Sequence, residues 1–269
     1  MNKVDYSTST ALITGPTSGI GRSIAFEIVS KGIARLVLVG RQQSKLDQTA
    51  DELRQKCSAR QEIRTILADL TEREAGANVQ SKVDEWGWSI DILINNAGVA
   101  RKASFASKDD NALDCVDTLV RIVIDLSSRF LPGMLERRRG GLLNIGSTAA
   151  YQPVPWTATY AACKAFLLSW SQAVRQENLE SGVRIACIVP GITKTNLNGQ
   201  GGGEVRGLLD YVGIHKSDDV AKAALDAFER NSAAKILGLN NQLLRLSGVP
   251  VPASVMARVV ATSRGAPVA

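Results

Sequence analysis

Apolar residues in this chain come in short dense runs separated by longer stretches in which they recur every three or four positions. Thr10 to Thr14 is the first such run and ends in glycine-rich sequence, after which Ile20, Ile24, Phe26, Ile28 and Val29 follow at roughly helical spacing until Gly32. This predicts strand, turn, helix and stop. The same alternation continues through a β-branched run Leu36–Val39, a helical stretch Leu46–Gln55, a run Ile63–Leu67 closed by Asp69 and Leu70, and a fourth strand Ile90–Ile94 ended by Asn95, Asn96, Ala97 and Gly98. Two long helical stretches, Ala112–Arg138 and Thr157–Ser181, are separated by a strand Gly141–Ile145 and followed by Val183–Val189. Near-continuous apolar strands joined by helical crossovers imply an α/β fold, a doubly wound parallel sheet with helices on both faces. No internal repeat and no linker divides the chain, so residues 1–269 are expected to form one domain.

Composition narrows the class. Of 269 residues, 45% are hydrophobic and 22% charged, enough for a large core and unlike a disordered chain. The net charge of +6 is spread along the chain apart from Arg137, Arg138 and Arg139, and aromatics are only 5%, so nucleic acid is not the expected partner. A small anionic ligand fits that balance better. The arginine run lies near a helix end, where positive charge offsets the carbonyl dipole, and carries no site. Cys57, Cys115, Cys163 and Cys187 lie far apart without a C-x-x-C pair and His215 is the sole histidine, so no metal site is expected and the cysteines read as reduced core residues of a cytoplasmic protein. The start, Met1 to Ser9, is polar and no apolar run is long enough for a membrane span.

The first chemical signal is Thr14-Gly15-Pro16-Thr17-Ser18-Gly19-Ile20-Gly21, between the first strand and first helix. Glycine lets the backbone turn sharply and approach a ligand, and the N–H groups at a helix start favour a pyrophosphate. An ordinary tight turn explains one glycine but not three. The spacing differs from the dehydrogenase fingerprint G-x-G-x-x-G. The second signal is Tyr160-Ala161-Ala162-Cys163-Lys164, whose four-residue offset puts a phenol and an ammonium on one helix face. A nearby cation stabilises a phenolate and so makes the phenol a better acid. Ser147, at a strand end thirteen residues earlier, could donate to the same substrate oxygen. Each also has a bland reading: Tyr160 as core, Lys164 as solvated surface, Ser147 as a turn residue.

Together these motifs resemble the short-chain dehydrogenase/reductase family over about residues 10 to 196. Asn95-Asn96-Ala97-Gly98 is similar to its N-N-A-G element, and Pro190-Gly191-Ile192-Thr193-Lys194-Thr195 to its P-G-x-V-x-T segment beside the nicotinamide. The resemblance implies a Rossmann-like fold and catalysis by Ser147, Tyr160 and Lys164. Tyr160 would protonate the carbonyl oxygen, Lys164 would hold the nicotinamide ribose and lower the tyrosine pKa, and Ser147 would position the carbonyl. It also implies cofactor contacts at Gly15, Thr17, Ser18, Gly19, Ile20 and Gly21, at Asp69, Leu70, Asn95, Ala97 and Gly98, and at Tyr160, Lys164, Pro190, Gly191, Thr193 and Thr195. One family position departs. Counting back ungapped from Leu131-Pro132-Gly133-Met134 places the family's catalytic asparagine at Leu119. That implies another polar partner, with Thr118 and Asp117 the adjacent candidates unless both sit on a solvated helix face, or slower proton resupply.

At the end of the second strand Gly40 is followed by Arg41, where an acid would bind the adenosine ribose and repel a 2′-phosphate. A guanidinium can pair with that phosphate, helped by Ser44 or Lys45, so NADP (as NADPH) is expected over NAD. Asp69 matches the family's position near the adenine and could equally cap the next helix at Thr71. The glycine-rich segment 196–216 is either a lid or a tolerated surface loop. The apolar C-terminal segment 236–269, with Leu243, Leu244, Leu246, Val249 and Val251, either walls the pocket or packs on the core. Tyr151, Pro153 and Trp156 are expected to line the pocket. His215 reads as a surface or loop residue, and Cys163 as packing that points elsewhere on its helix. The expected activity is reduction of an apolar ketone or aldehyde, or oxidation of the matching alcohol. The alternatives are reduction of 3-oxoacyl thioesters and a non-catalytic NADP-binding sensor or scaffold. The helices 112–138 and 157–181 resemble those through which family members associate, which implies a homodimer or homotetramer.

Overall fold

A computed structural model describes residues 3–100, 102–106, 112–191, 193 and 215–238. Seven parallel strands form one sheet in the order β3-β2-β1-β4-β5-β6-β7: β1 Thr10–Thr14, β2 Arg35–Gly40, β3 Glu62–Leu67, β4 Ile92–Asn95, β5 Gly141–Ile145, β6 Arg184–Val189 and β7 Lys235–Ile236. The helices among the described residues are α1 Gly19–Ser30, α2 Gln43–Arg54, α3 Ala75–Glu85, α4 Ala112–Val116, α5 Ile122–Glu136, α6 Ala158–Glu177 and α7 Ser217–Glu229. This is the Rossmann-like doubly wound arrangement the apolar runs predict. β4 begins two residues later than expected, because Asp91 instead accepts a hydrogen bond from Thr10 N (3.0 Å) at the lower rim of the sheet.

Although the central strands are buried along their length, their side chains divide by period two. Ala11, Ile13, Leu36, Leu38, Ile92 and Ile94 face one core with α1 and α7, whereas Leu12, Val37, Val39 and Leu93 face the other with α3 and α5. The arginine run holds the rim opposite the strand ends that carry the chemistry. Arg137 Nη2 donates to Ile90 O (2.9 Å), Arg138 Nη2 to Glu180 O (3.0 Å) and Arg139 Nη2 to Asp91 Oδ2 (3.1 Å).

The stretch expected as one helix from Ala112 to Arg138 is interrupted. Residues Asp117–Arg121 form a π-turn between α4 and α5, closed by Ile122 N donating to Asp117 O. In the middle of the sheet, a chain of buried polar side chains crosses between layers. Asn95 Nδ2 donates to Asn144 Oδ1 (2.8 Å), Asn144 Nδ2 to Ser171 Oγ (2.9 Å), and Ser171 Oγ to Leu167 O (2.6 Å).

The strand order reverses direction at β1 and β4, which opens a crevice above their carboxyl ends. Thr195, residues 196–214 of the expected lid, and most of the expected C-terminal segment lie outside the described residues. No helix among those described is long and apolar enough to cross a membrane.

Candidate active site

The β1–α1 turn is shaped by close contact with the end of β4. Gly15 adopts φ +66° and Gly19 φ +54°, conformations that favour glycine. A Cβ on Gly21 would lie 2.2 Å from both Asn96 Nδ2 and Gly15 O. Asn96 Nδ2 donates to Thr14 O (2.9 Å) and Gly15 O (3.0 Å), while Thr14 Oγ1 accepts from Asn96 N (3.1 Å) and Ala97 N (3.0 Å). Thr14 and Asn96 therefore lock the turn to the neighbouring strand end, a role sequence reading did not give them. The available signal was a hydroxyl just before the glycines together with the second asparagine of N-N-A-G. Asn95 points the other way, into the buried polar chain and within 3.4 Å of Ser127 Oγ.

Helix α1 presents its first N–H groups to the crevice. Ser18 caps it in an extended conformation without a side-chain hydrogen bond, and no acidic residue occupies the first turn. Thr17 and Gly19 are half-buried at this edge, and the Ile20 side chain is buried in the core.

Tyr160 and Lys164 project from the first turns of α6. Lys164 is only 5% exposed, so the solvated-surface alternative fails. Its Nζ donates to Ile145 O at 2.6 Å and sits 5.7 Å from the centroid of the Tyr160 ring. Burial pulls its pKa down from 10.5 to about 8, opposed by the neighbouring thiols of Cys187, Cys115 and Cys163. The lysine thus ties α6 to the end of β5, two residues before Ser147. Ser147 Oγ accepts from Ala149 N (3.2 Å) at the start of a 3-10 turn, Thr148–Tyr151, which leaves the hydroxyl proton for another partner. Thr148 N donates to Pro190 O (3.0 Å), which fixes that turn against Pro190 and Gly191.

A cavity of about 240 Å³ opens beside Tyr160, lined by Phe105, Pro155, Trp156 and Cys115 among others. Trp156 lies on this wall with φ +65°, an uncommon conformation for a bulky side chain. Tyr151 does not line it and is 41% exposed.

Leu119 is buried where the family asparagine was expected. It packs with Cys115, Cys163 and Tyr160, and its Cδ2 would lie 2.9 Å from a Cβ on Gly98. The two polar neighbours are engaged elsewhere. Thr118 is buried rather than solvated and donates through Oγ1 to Asp114 O (2.7 Å), while Asp117 accepts from Arg121 Nε (2.6 Å). Arg121 continues to Leu70 O (2.9 Å) and Glu72 O (2.8 Å). Cys163, expected to point elsewhere, belongs to the Tyr160 cluster.

At the far end of the crevice Arg41 is exposed just after β2. Asp69 Oδ1 accepts from Thr71 N (3.0 Å) and Thr71 Oγ1 (2.7 Å), and these bonds hold its carboxyl below the usual range. These bonds close a local turn and not a helix cap, since α3 starts at Ala75 with Glu74 as its N-cap. Leu70 is buried in the core. Thr193 donates through Oγ1 to Gly191 O (3.1 Å) and forms a bridge with His215, which is half-buried.

The chain belongs to the short-chain dehydrogenase family, whose model matches residues 9–205. It is accordingly an NAD(P)-dependent oxidoreductase acting on CH–OH groups. An uncharacterized oxidoreductase of Staphylococcus saprophyticus is 30% identical over 87% of this chain and 96% of that protein. The very-long-chain 3-oxoacyl-CoA reductase of Bos taurus is 33% identical over 70% of this chain, which spans 60% of that enzyme. Among solved structures, a short-chain dehydrogenase from Sphingobium yanoikuyae in complex with NADPH superimposes with a TM-score of 0.77 and 30% identity, covering 89% of this chain and 92% of that one.

The residues present fit a nicotinamide dinucleotide. A turn packed so closely on the end of β4 that Gly15 and Gly21 leave no room for a Cβ, and a helix start with no side-chain cap hydrogen bond and no acidic residue in its first turn, form a cradle of backbone N–H groups suited to a diphosphate.

Proposed function

We propose that the chain is an NADP-dependent carbonyl reductase of apolar ketones or aldehydes. The observation that carries this reading is the buried Lys164 between the Ile145 carbonyl and the ring of Tyr160, which itself lines a cavity walled by Phe105, Pro155 and Trp156. When bound, the dinucleotide supplies a hydride from the nicotinamide C4. Tyr160 Oη then donates its proton to the carbonyl oxygen as negative charge grows there. Ser147 Oγ–H holds that oxygen in place, and the Lys164 ammonium stabilises the phenolate left behind. In the reverse direction the same groups accept the alcohol proton.

The cradle residues Gly15, Thr17, Ser18, Gly19, Ile20 and Gly21 hold the diphosphate chiefly through backbone. Arg41 would pair with the 2′-phosphate, and Pro190, Gly191 and Thr193 would hold the nicotinamide end. Arg41 and the NADPH of the Sphingobium structure support NADP over NAD. Leu119 packs a hydrocarbon side chain against the Tyr160 ring at the position where the family carries an asparagine, which suits an apolar substrate.

A second reading, reduction of 3-oxoacyl thioesters, is favoured by the bovine relative and by exposed Lys102, next in sequence to Ala103 on the cavity wall, where it would meet the thioester's phosphates. The test mixes purified protein with NADPH and a panel of hydrophobic ketones and 3-oxoacyl thioesters, and follows cofactor absorbance. Ketone-dependent oxidation by the native chain, lost by orders of magnitude in Tyr160→Phe with NADPH binding retained, is expected. Thioester turnover alone selects the second reading. An active Tyr160→Phe removes the tyrosine from the mechanism, and tight NADPH binding without turnover of any substrate leaves a sensor.

A further inference from the structure

Two cysteines far apart in sequence meet beside Tyr160. Cys115 on α4 lines the cavity, and its Sγ lies 3.3 Å from Val99 O. Across from it, Cys163 on α6 is buried in the same small cluster with Leu119 and the Tyr160 ring, and the two thiols are hydrogen-bonded neighbours. Cys163 follows Tyr160 by three residues, which puts both on one face of α6.

We propose that Cys115 and Cys163 are a peroxide-sensitive dithiol, oxidised reversibly to a disulfide that ties α4 to α6 across the pocket. The oxidant is a small hydroperoxide, able to enter a cavity of about 240 Å³. One sulfur attacks as thiolate on the O–O bond, which breaks to leave a sulfenic acid and a first water. The second thiol attacks that sulfur, the S–S bond forms, the S–O bond breaks, and a second water departs. Two thiols thereby lose two protons and two electrons, and the peroxide takes up both.

Three features favour the step. The hydrogen bond from Cys115 lowers the Cys163 thiol below its ordinary range, with Lys164 acting in the same direction against burial. Thiols that already share a cluster and a hydrogen bond need only a small approach to reach a bond of about 2.05 Å. The π-turn Asp117–Arg121 joins α4 to α5, so α4 can shift on a locally altered hydrogen-bond ladder without disturbing the longer helix. The link would draw the α4 wall towards the Tyr160 ring.

The chain is treated with hydrogen peroxide, blocked with iodoacetamide, and analysed by intact mass and non-reducing peptide mapping. Relative to reduced and equally blocked protein, the expected result is two fewer carbamidomethyl groups, a mass about 116 Da lower, and a peptide joining Cys115 to Cys163, reversed by dithiothreitol. Cys115→Ala and Cys163→Ala should each abolish the mass loss, and Cys57→Ala should not. A native protein with no such peptide, with a link to Cys57 or Cys187 instead, or with only sulfinic acid on a single cysteine overturns the proposal. The map needs neither turnover nor a folded variant, so it stands apart from the reading of the reaction.

Discussion

Gly21→Ala tests the cradle most directly. The added methyl would sit 2.2 Å from both Gly15 O and Asn96 Nδ2, against an ordinary contact of about 3.5 Å. Neither neighbour is a flexible tip: one is backbone, and the other is the amide that bonds Thr14 O and Gly15 O. Relieving the clash by swinging Asn96 away loses two hydrogen bonds at about 1 kcal/mol each. Forcing the backbone apart instead adds about 1–3 kcal/mol of overpacking. A destabilisation of about 3 kcal/mol corresponds to a Tm fall of roughly 6–12 °C for a chain of this size. The same movement displaces N–H donors at the helix start, and losing one charge-assisted bond at about 1.5–3 kcal/mol weakens NADPH roughly 10- to 100-fold. Circular dichroism melts give the first quantity and NADPH fluorescence titration the second. Gly32→Ala is the control, since Gly32 also has a positive φ of +82° but no atom within 4 Å, and it should lower Tm while leaving NADPH affinity intact. A Gly21→Ala protein with native Tm and native NADPH affinity would refute the argument that this glycine keeps the cradle open.

Two other outcomes follow from charge. Arg41→Asp should weaken NADPH by about 10-fold or more and improve NADH, as expected when a charge-assisted phosphate contact is replaced by repulsion; an unchanged preference in paired titrations would misplace the phosphate. Burial lowers the folded-state pKa of Lys164 to about 8 from 10.5, so between those values the unfolded chain holds more protons and stability rises with pH. The charged lysine is therefore a full burden below pH 8 that fades by 10.5, and the Tm of Lys164→Met minus that of the cofactor-free native protein should decline across this window. A difference independent of pH would show that the lysine titrates normally.

Six of the seven strands were legible because each is a short, largely apolar run, and the motif residues fall at their carboxyl ends as expected; β7, only Lys235–Ile236, is too short to register as a run. What composition and spacing could not supply were contacts between distant residues. Thr14 and Asn96 lie 82 positions apart, and their lock exists only once β1 and β4 are neighbours. Lys164 reads as surface on any helical pattern, since its burial depends on α6 lying over Ile145. The π-turn and the inward packing of Thr118 break the 3.6-residue periodicity that predicted one unbroken helix. Leu119 departs from the family pattern in the sequence itself, yet its surroundings, the Cys115 thiol of α4 with the Cys163 thiol and Tyr160 ring of α6, exist only once the helices pack. Asp69 bonds Thr71 as its sequence neighbours suggest, but in a local turn, because the helix it was expected to cap starts only at Ala75.

The buried amides of Asn95 and Asn144 also bear on how the sheet assembles. Strands that are apolar on both sides give little penalty for sliding past one another, because any offset still buries hydrocarbon. An offset of one residue between β4 and β5 would break the Asn95–Asn144 bond and bury its donor and acceptor apart in a dry interior, at about 1–3 kcal/mol for each orphaned group, while the Asn144–Ser171 bond stays with β5 and α6. The two asparagines therefore act as a proofreading device for alignment, penalising misthreaded sheets that greasy packing alone would tolerate.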